Sequence, residues 1–121
     1  MNTALLDTNI LIDLVGGSDL AKEEVARYSS HAISRITWIE FMTGVHRDDQ
    51  FRARDVLIDV SVFDLSAEVA ERTVFVRRST RLKLPDAIIY ATAQVHGLTL
   101  VTRNSRDFSE SMPGVRIPYI V

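Results

Sequence analysis

Five short apolar runs are spaced along this chain with helix-length segments between most of them: ALL (4–6), HAIS (31–34), SVFDL (61–65), LTLVT (98–102) and VRI (115–117). The intervening stretches carry helical signals. NILIDLV (9–15) allows a turn or two of helix before the Gly16-Gly17 break. Ser18 is placed to cap DLAKEEVARY (19–28), whose early acids and late Arg27 suit the helix dipole, and that helix is expected as a solvated outer layer. Thr37 is expected to open a helix in which Trp38, Phe41, Met42 and Val45 recur at i, i+3, i+4 and i+7, with Ile36, Ile39 and Thr43 covering its other side. Asp48 and Asp49 start another, with Ala53, Val56, Leu57 and Val60 in the same spacing. Ser66 begins a long helix ending in RRSTRLK (77–83), and Leu84-Pro85-Asp86 opens the last, which Gly97 closes. Strands alternating with helices in this way imply parallel strand pairs with helical crossovers. The predicted class is therefore α/β, with helices on both faces of a mainly parallel sheet of short strands.

The 121 residues suffice for one domain over 1–121, burying roughly two thirds of the surface of the unfolded chain. There is no cysteine, so any metal must bind through oxygen or histidine. No apolar run is long enough for a membrane span and no signal peptide is recognisable, so the expected location is cytoplasmic, with no membrane partner. The formal net charge is only -2, so a nucleic-acid substrate would have to be attracted by local patches.

In parallel α/β sheets the ligand crevice lies beyond the carboxyl ends of the strands. Asp7 follows the first strand, Glu40 lies early in the helix after the second, Asp86 opens the helix before LTLVT, and Asn104 and Asp107 follow that strand. Each acid has a plain structural reading: Thr37 and Glu40 form a T-x-x-E capping box, Asp86 suits the helix dipole, and Asp107 caps a turn. Asp7 resists that treatment, because Thr8 or Asn9 would cap equally well without a carboxylate pressed between ALL and ILIDL. Two carboxylates ~5 Å apart repel by roughly 3 kcal/mol at an effective dielectric near 20. A shared proton relieves one pair. For four groups a divalent cation is the better answer, since carboxylate, amide, hydroxyl and water oxygens are the ligands Mg²⁺ and Mn²⁺ take. Metals held this way promote phosphodiester hydrolysis.

LLDTNILIDL, TWIEFMTG, LPDAIIYATA and LVTRNSRDF, in that order and spacing, resemble the four motifs of PIN domains, and of short VapC-type toxin nucleases in particular. The resemblance spans about residues 3 to 117 and implies a three-layer αβα fold. It also implies a Mg²⁺- or Mn²⁺-dependent endoribonuclease, often a homodimer, restrained by a cognate antitoxin. Carried over by motif, Asp7, Glu40 and Asp86 are the expected metal ligands. Thr8, Asn9 and Thr102 support them, and either Asn104 or Asp107 completes the set. The chain departs from the pattern at Tyr90, where a smaller residue is common, and at Asn104, which is an acid in some relatives.

Arg77, Arg78, Arg81 and Lys83 precede Asp86, and Arg103 and Arg106 flank Asn104. They either terminate helices in solvent or hold RNA phosphates without reading sequence. His31, His46 and His96 have no ligand spacing and are expected to be structural or surface residues, and Asp13, Asp59 and Asp64 are expected at the surface. Two other classes compete with the nuclease. A phosphotransfer receiver domain needs an acceptor aspartate after its central strand and a late lysine, where this chain offers Asp64 and LTLVTRN. A non-enzymatic PIN-like interaction module has no need of the acids.

Overall fold

The computed structural model describes residues 2–120; the two ends of the expected 1–121 domain, Met1 and Val121, lie outside the described residues. Strands β1 (Thr3–Leu6), β2 (Ser30–Ser34), β3 (Val60–Phe63), β4 (Thr99–Val101) and β5 (Val115–Arg116) form one sheet in the order β3-β2-β1-β4-β5. All four pairings are parallel. Helices α1 (Thr8–Val15), α2 (Asp19–Val25), α3 (Arg35–Gly44), α4 (Gln50–Leu57), α5 (Ala67–Ser79) and α6 (Leu84–His96) make the connections before β5.

The central strands are buried on both faces, so alternate residues feed two cores. Leu5, Ala32 and Leu100 pack with Val69 and Val76 of α5 and with Ala87, Ile89 and Tyr90 of α6. Their neighbours Ala4, Leu6, Ile33 and Val101 pack with Ile10 and Leu11 of α1, Phe41 of α3 and Ala53 of α4. Each fully buried leucine, isoleucine or phenylalanine contributes about 1.5–3 kcal/mol. The order of strands locates the crevice. From β1 the chain winds outward to β2 and β3, then returns to β4 on the other side, so the winding reverses between β1 and β4. Parallel sheets bind ligands at such a switch point.

Several sequence expectations shift. Helix α3 begins at Arg35, two residues before Thr37, with Ser34 as its cap: the Ser34 hydroxyl accepts from the Ile36 amide at 3.1 Å. The Thr37–Glu40 capping box therefore does not form. Thr37 is fully buried, its hydroxyl without a protein partner among the described residues. Helix α3 is covered twice only in part, since Ile36 joins one core and Phe41, Met42 and Val45 the other, while Trp38 and Ile39 stay exposed. Asp48 and Asp49 belong to a 3-10 turn, Arg47–Asp49, that precedes α4, and Val60 starts β3 instead of ending the helix. The α2 helix stops at Val25, and it is not purely a solvated layer: buried Glu24 takes both prongs of Arg116 from β5, at 2.6 and 2.9 Å.

The three histidines are structural or surface residues, as expected, His46 being exposed. His31 bonds the Val25 carbonyl at 2.7 Å, His46 accepts from the Asp48 amide, and His96 stacks on Phe63 at 3.9 Å. Tyr90 has a local reason: its hydroxyl donates to the Pro113 carbonyl at 2.7 Å and its ring meets Phe108 edge-on. Among the described residues no helix is long and apolar enough to cross a membrane.

Candidate metal centre

At the end of β1, Asp7 caps α1, and its amide donates to Val101 of β4 at 3.0 Å, holding it at the switch point. The residue is only 4% exposed. Oδ1 accepts from the Thr8 amide at 2.8 Å, while Oδ2 accepts from the Thr102 hydroxyl at 2.7 Å and the Asn9 amide group at 3.3 Å. Burial pushes its pKa up, against the pull of these donors, and Glu40 adds to the rise. A carboxylate has about four lone-pair positions, so these three bonds leave it capacity for a further ligand.

Asp86 sits in the first turn of α6, where Pro85 removes an amide that would lack a helical partner anyway. Among the described residues no hydrogen bond holds its half-buried carboxylate. Burial, then Asp7, Asp107 and Glu40, raise its pKa to about 6, with Lys83 opposing. An acid at a helix N-terminus is ordinarily stabilised in its charged form. Here burial and three like charges outweigh the dipole, so all four expected acids lie within electrostatic reach at one sheet edge. Glu40, exposed on α3, is oriented by the Thr8 hydroxyl at 2.8 Å. Asp107 is held by Asn104, whose side-chain amide donates to Oδ2 at 3.0 Å.

These residues offer hard oxygen ligands and an excess of negative charge, the chemistry that Mg²⁺ and Mn²⁺ fit. Among the described residues, however, no three acids or histidines close into a ready-made cage. Mg²⁺ commonly takes only one or two carboxylates and keeps several waters, so the donor set still fits an ion of this class.

Behind Asp7 lies a polar brace that the sequence did not reveal. Asn9 accepts from the Arg103 amide at 3.1 Å, and the Arg103 guanidinium forks onto Asp13 at 2.7 and 3.2 Å. Tyr119, in the C-terminal segment, donates to the same Asp13 at 2.8 Å. Asp13 is therefore an internal anchor and not the surface residue expected. Its position four residues after Asn9, on the same helix face, was the available signal. Tyr119 had none. Arg103 is correspondingly committed to Asp13, and Arg77 donates to the Leu82 carbonyl at 2.9 Å. Asp59 is exposed, and Asp64, on the edge side of the sheet, is also exposed and pairs with Arg35. It occupies no receiver-like acceptor position at the switch point.

The model of the PIN domain matches residues 4–111, most of the chain and all four acid positions. The chain belongs to the PIN domain family. Among solved structures, a toxin–antitoxin complex from Klebsiella pneumoniae contains a chain 47% identical to this PIN domain, covering 98% of it and 99% of the other, with a TM-score of 0.90. The DNA-bound VapBC of Salmonella typhimurium is 26% identical over 96% of each chain, with a TM-score of 0.80. VapC20 of Mycobacterium tuberculosis, described as a sarcin-ricin loop cleaving toxin, is 16% identical over 83% of this chain and 87% of that one, with a TM-score of 0.63; this likeness concerns the fold alone. No curated protein sequence matches.

Proposed function

We propose that this PIN domain, a single domain over the whole chain, is the endoribonuclease toxin of a toxin–antitoxin module and hydrolyses RNA phosphodiester bonds with Mg²⁺ or Mn²⁺. The observation that carries the reading is Asp86: a half-buried carboxylate with no hydrogen-bond donor among the described residues, its pKa raised to about 6 by burial and by three other acids at the switch point. A protein without a cation to bind has no use for that repulsion. Asp7, Glu40 and Asp86 would hold the metal. Asp107, steadied by Asn104, would complete the shell directly or through water, and this favours it over Asn104 as the fourth ligand.

When bound, the ion supplies positive charge for the phosphate and for an attacking water. The protein supplies placement. Thr102 and Asn9 fix the Asp7 carboxylate, Thr8 turns Glu40 toward it, and the Arg103–Asp13 pair keeps the loop after β4 against α1. The Klebsiella relative was solved as a toxin–antitoxin complex, which supports an antitoxin partner here. An apolar groove of about 310 Å³ between α1, α3 and α4 opens beside Glu40, and Trp38 and Ile39 are exposed nearby on α3. This is apolar surface suited to a protein partner or a second copy in a homodimer. A cytoplasmic location goes with an RNA substrate.

A second reading, a catalytically silent PIN-type interaction module, is favoured by the absence of a closed three-acid cage among the described residues. One comparison separates them. Purified protein, freed of any partner, is incubated with mixed RNA in Mg²⁺, in Mn²⁺ and in chelator beside Asp86→Asn. The nuclease predicts metal-dependent cutting that the variant loses while its melting profile remains cooperative. Equal cutting by the variant would remove Asp86 from the mechanism. No cutting together with no metal binding by calorimetry would establish the interaction module.

A further inference from the structure

The six basic residues near the acids are not equivalent. Arg77 is tied to the Leu82 carbonyl and Arg103 to Asp13, so both serve the fold. Arg78 lies in the last turn of α5, where it complements the helix dipole, and Lys83 stands at the start of α6 without a side-chain capping bond, its charge acting on Asp86. Arg81 and Arg106 remain. Both are exposed, and among the described residues neither has a carboxylate at ion-pair distance. They come from different loops, one between α5 and α6 and one after β4, yet line the same cavity of about 460 Å³, together with Thr80, Met112 and Asp107.

Both walls are held in place. In the first loop, Thr80 donates to the Val76 carbonyl at 2.8 Å and accepts from the Leu82 amide at 3.2 Å, and Leu82 is buried. In the second, the Phe108 amide bonds the Asn104 carbonyl at 3.1 Å and the Phe108 ring is buried in the core. Preset walls lower the ordering cost of binding. The hydroxyls of Ser79 and Thr80 already donate to backbone carbonyls, so the guanidiniums are the principal free donors. Such a groove recognises anionic charge and not base edges.

Asp107 also lines the groove, and it is one of the acids acting on Asp86. A lone anion would be drawn by the arginines and repelled by Asp107. A chain of phosphates can sit on the arginines and extend past Asp107 into the acidic crevice. We propose that the Arg81–Arg106 groove holds the sugar–phosphate backbone of the single-stranded RNA segment next to the phosphate that is cut. This inference rests on the nuclease reading and adds the direction from which the strand enters.

The test is binding of a short labelled single-stranded RNA to the Asp86→Asn protein across a salt series, alone and combined with Arg81→Ala, Arg106→Ala or both. For single strands each phosphate contact contributes roughly 0.7 to the slope of log affinity against log salt. Each alanine should lower the slope by about that amount and the double change by about 1.4, whereas lysine at either position preserves it. Arg54→Ala, an exposed arginine on α4 that lines no part of this groove, should leave the slope unchanged. A slope unaltered by the double change, or lowered equally by Arg54→Ala, overturns the groove while metal-dependent cutting by the parent keeps the nuclease reading. If the Asp86→Asn protein binds no RNA and the parent cuts none, both fall.

Discussion

The chain turns directly from strand to helix at Asp7 and again at Ser34, with nearly the same backbone: φ -76° and ψ 161° at the first, φ -74° and ψ 152° at the second. Both residues are almost fully buried, and both cap the helix that follows. At Ser34 a hydroxyl completes the turn. At Asp7 the same turn carries a carboxylate whose burial is unfavourable enough to raise its pKa, and Thr102, Asn9 and the Thr8 amide are arranged around it. The geometry of the turn does not require the charge, so the charge answers to something else. In this fold that is the switch point between β1 and β4, where the other acids gather.

Exchanging the turn chemistry gives the most decisive test of that comparison. Asp7→Ser makes the first turn like the second, and RNA cutting should be lost while the protein still folds, with a melting temperature in chelator no lower than the parent's. Failure to fold would mean that Asp7 is chiefly a structural cap. The brace behind Asp7 should have a smaller effect. Asp13→Ala leaves Arg103 and Tyr119 without their common acceptor, and divalent-ion affinity should fall by roughly tenfold or more, the scale of losses when a group behind a metal ligand is removed. Calorimetric titration measures it, and an unchanged affinity beside a lower melting temperature would confine the bridge to stability.

The mildest effect concerns pH. In chelator, Asp86 has a folded pKa of about 6 against an ordinary value of 3.8, so between these values the folded state binds more protons than the unfolded one. Stability then falls as pH rises through that window, and Asp7, also raised, acts in the same direction. Melting temperature measured from about pH 4 to about pH 7 should decline less steeply in Asp86→Asn, and saturating Mg²⁺ should oppose the decline in the parent. Parallel curves for parent and variant would mean that the acids are farther apart in solution than their mutual influence here implies.

Much of this was legible because it is local. The five apolar runs became the five strands, within a residue or two of their expected bounds, since short β-rich runs between helical periods have few other ways to bury both faces. The acids were found because each lies next to a strand end or a helix start, and topology then gives such positions a common edge. The start of α3 was misplaced because Ser34 ends β2 and caps the helix at once, leaving no loop to mark the boundary. Asp13 was misplaced because its partners are 90 and 106 residues away in sequence.

By itself, then, the sequence determined the class of fold and pointed to one sheet edge with Asp7, Glu40, Asp86 and either Asn104 or Asp107 as its candidate groups, because periodicity and strand-end position are properties of neighbouring residues. Tertiary structure decided what each charge is for. Whether an arginine braces a loop, as Arg103 does, or faces an open groove, as Arg81 and Arg106 do, depends on which carboxylates and carbonyls arrive beside it from distant parts of the chain. Electrostatic and hydrogen-bond energies are set by those separations in space.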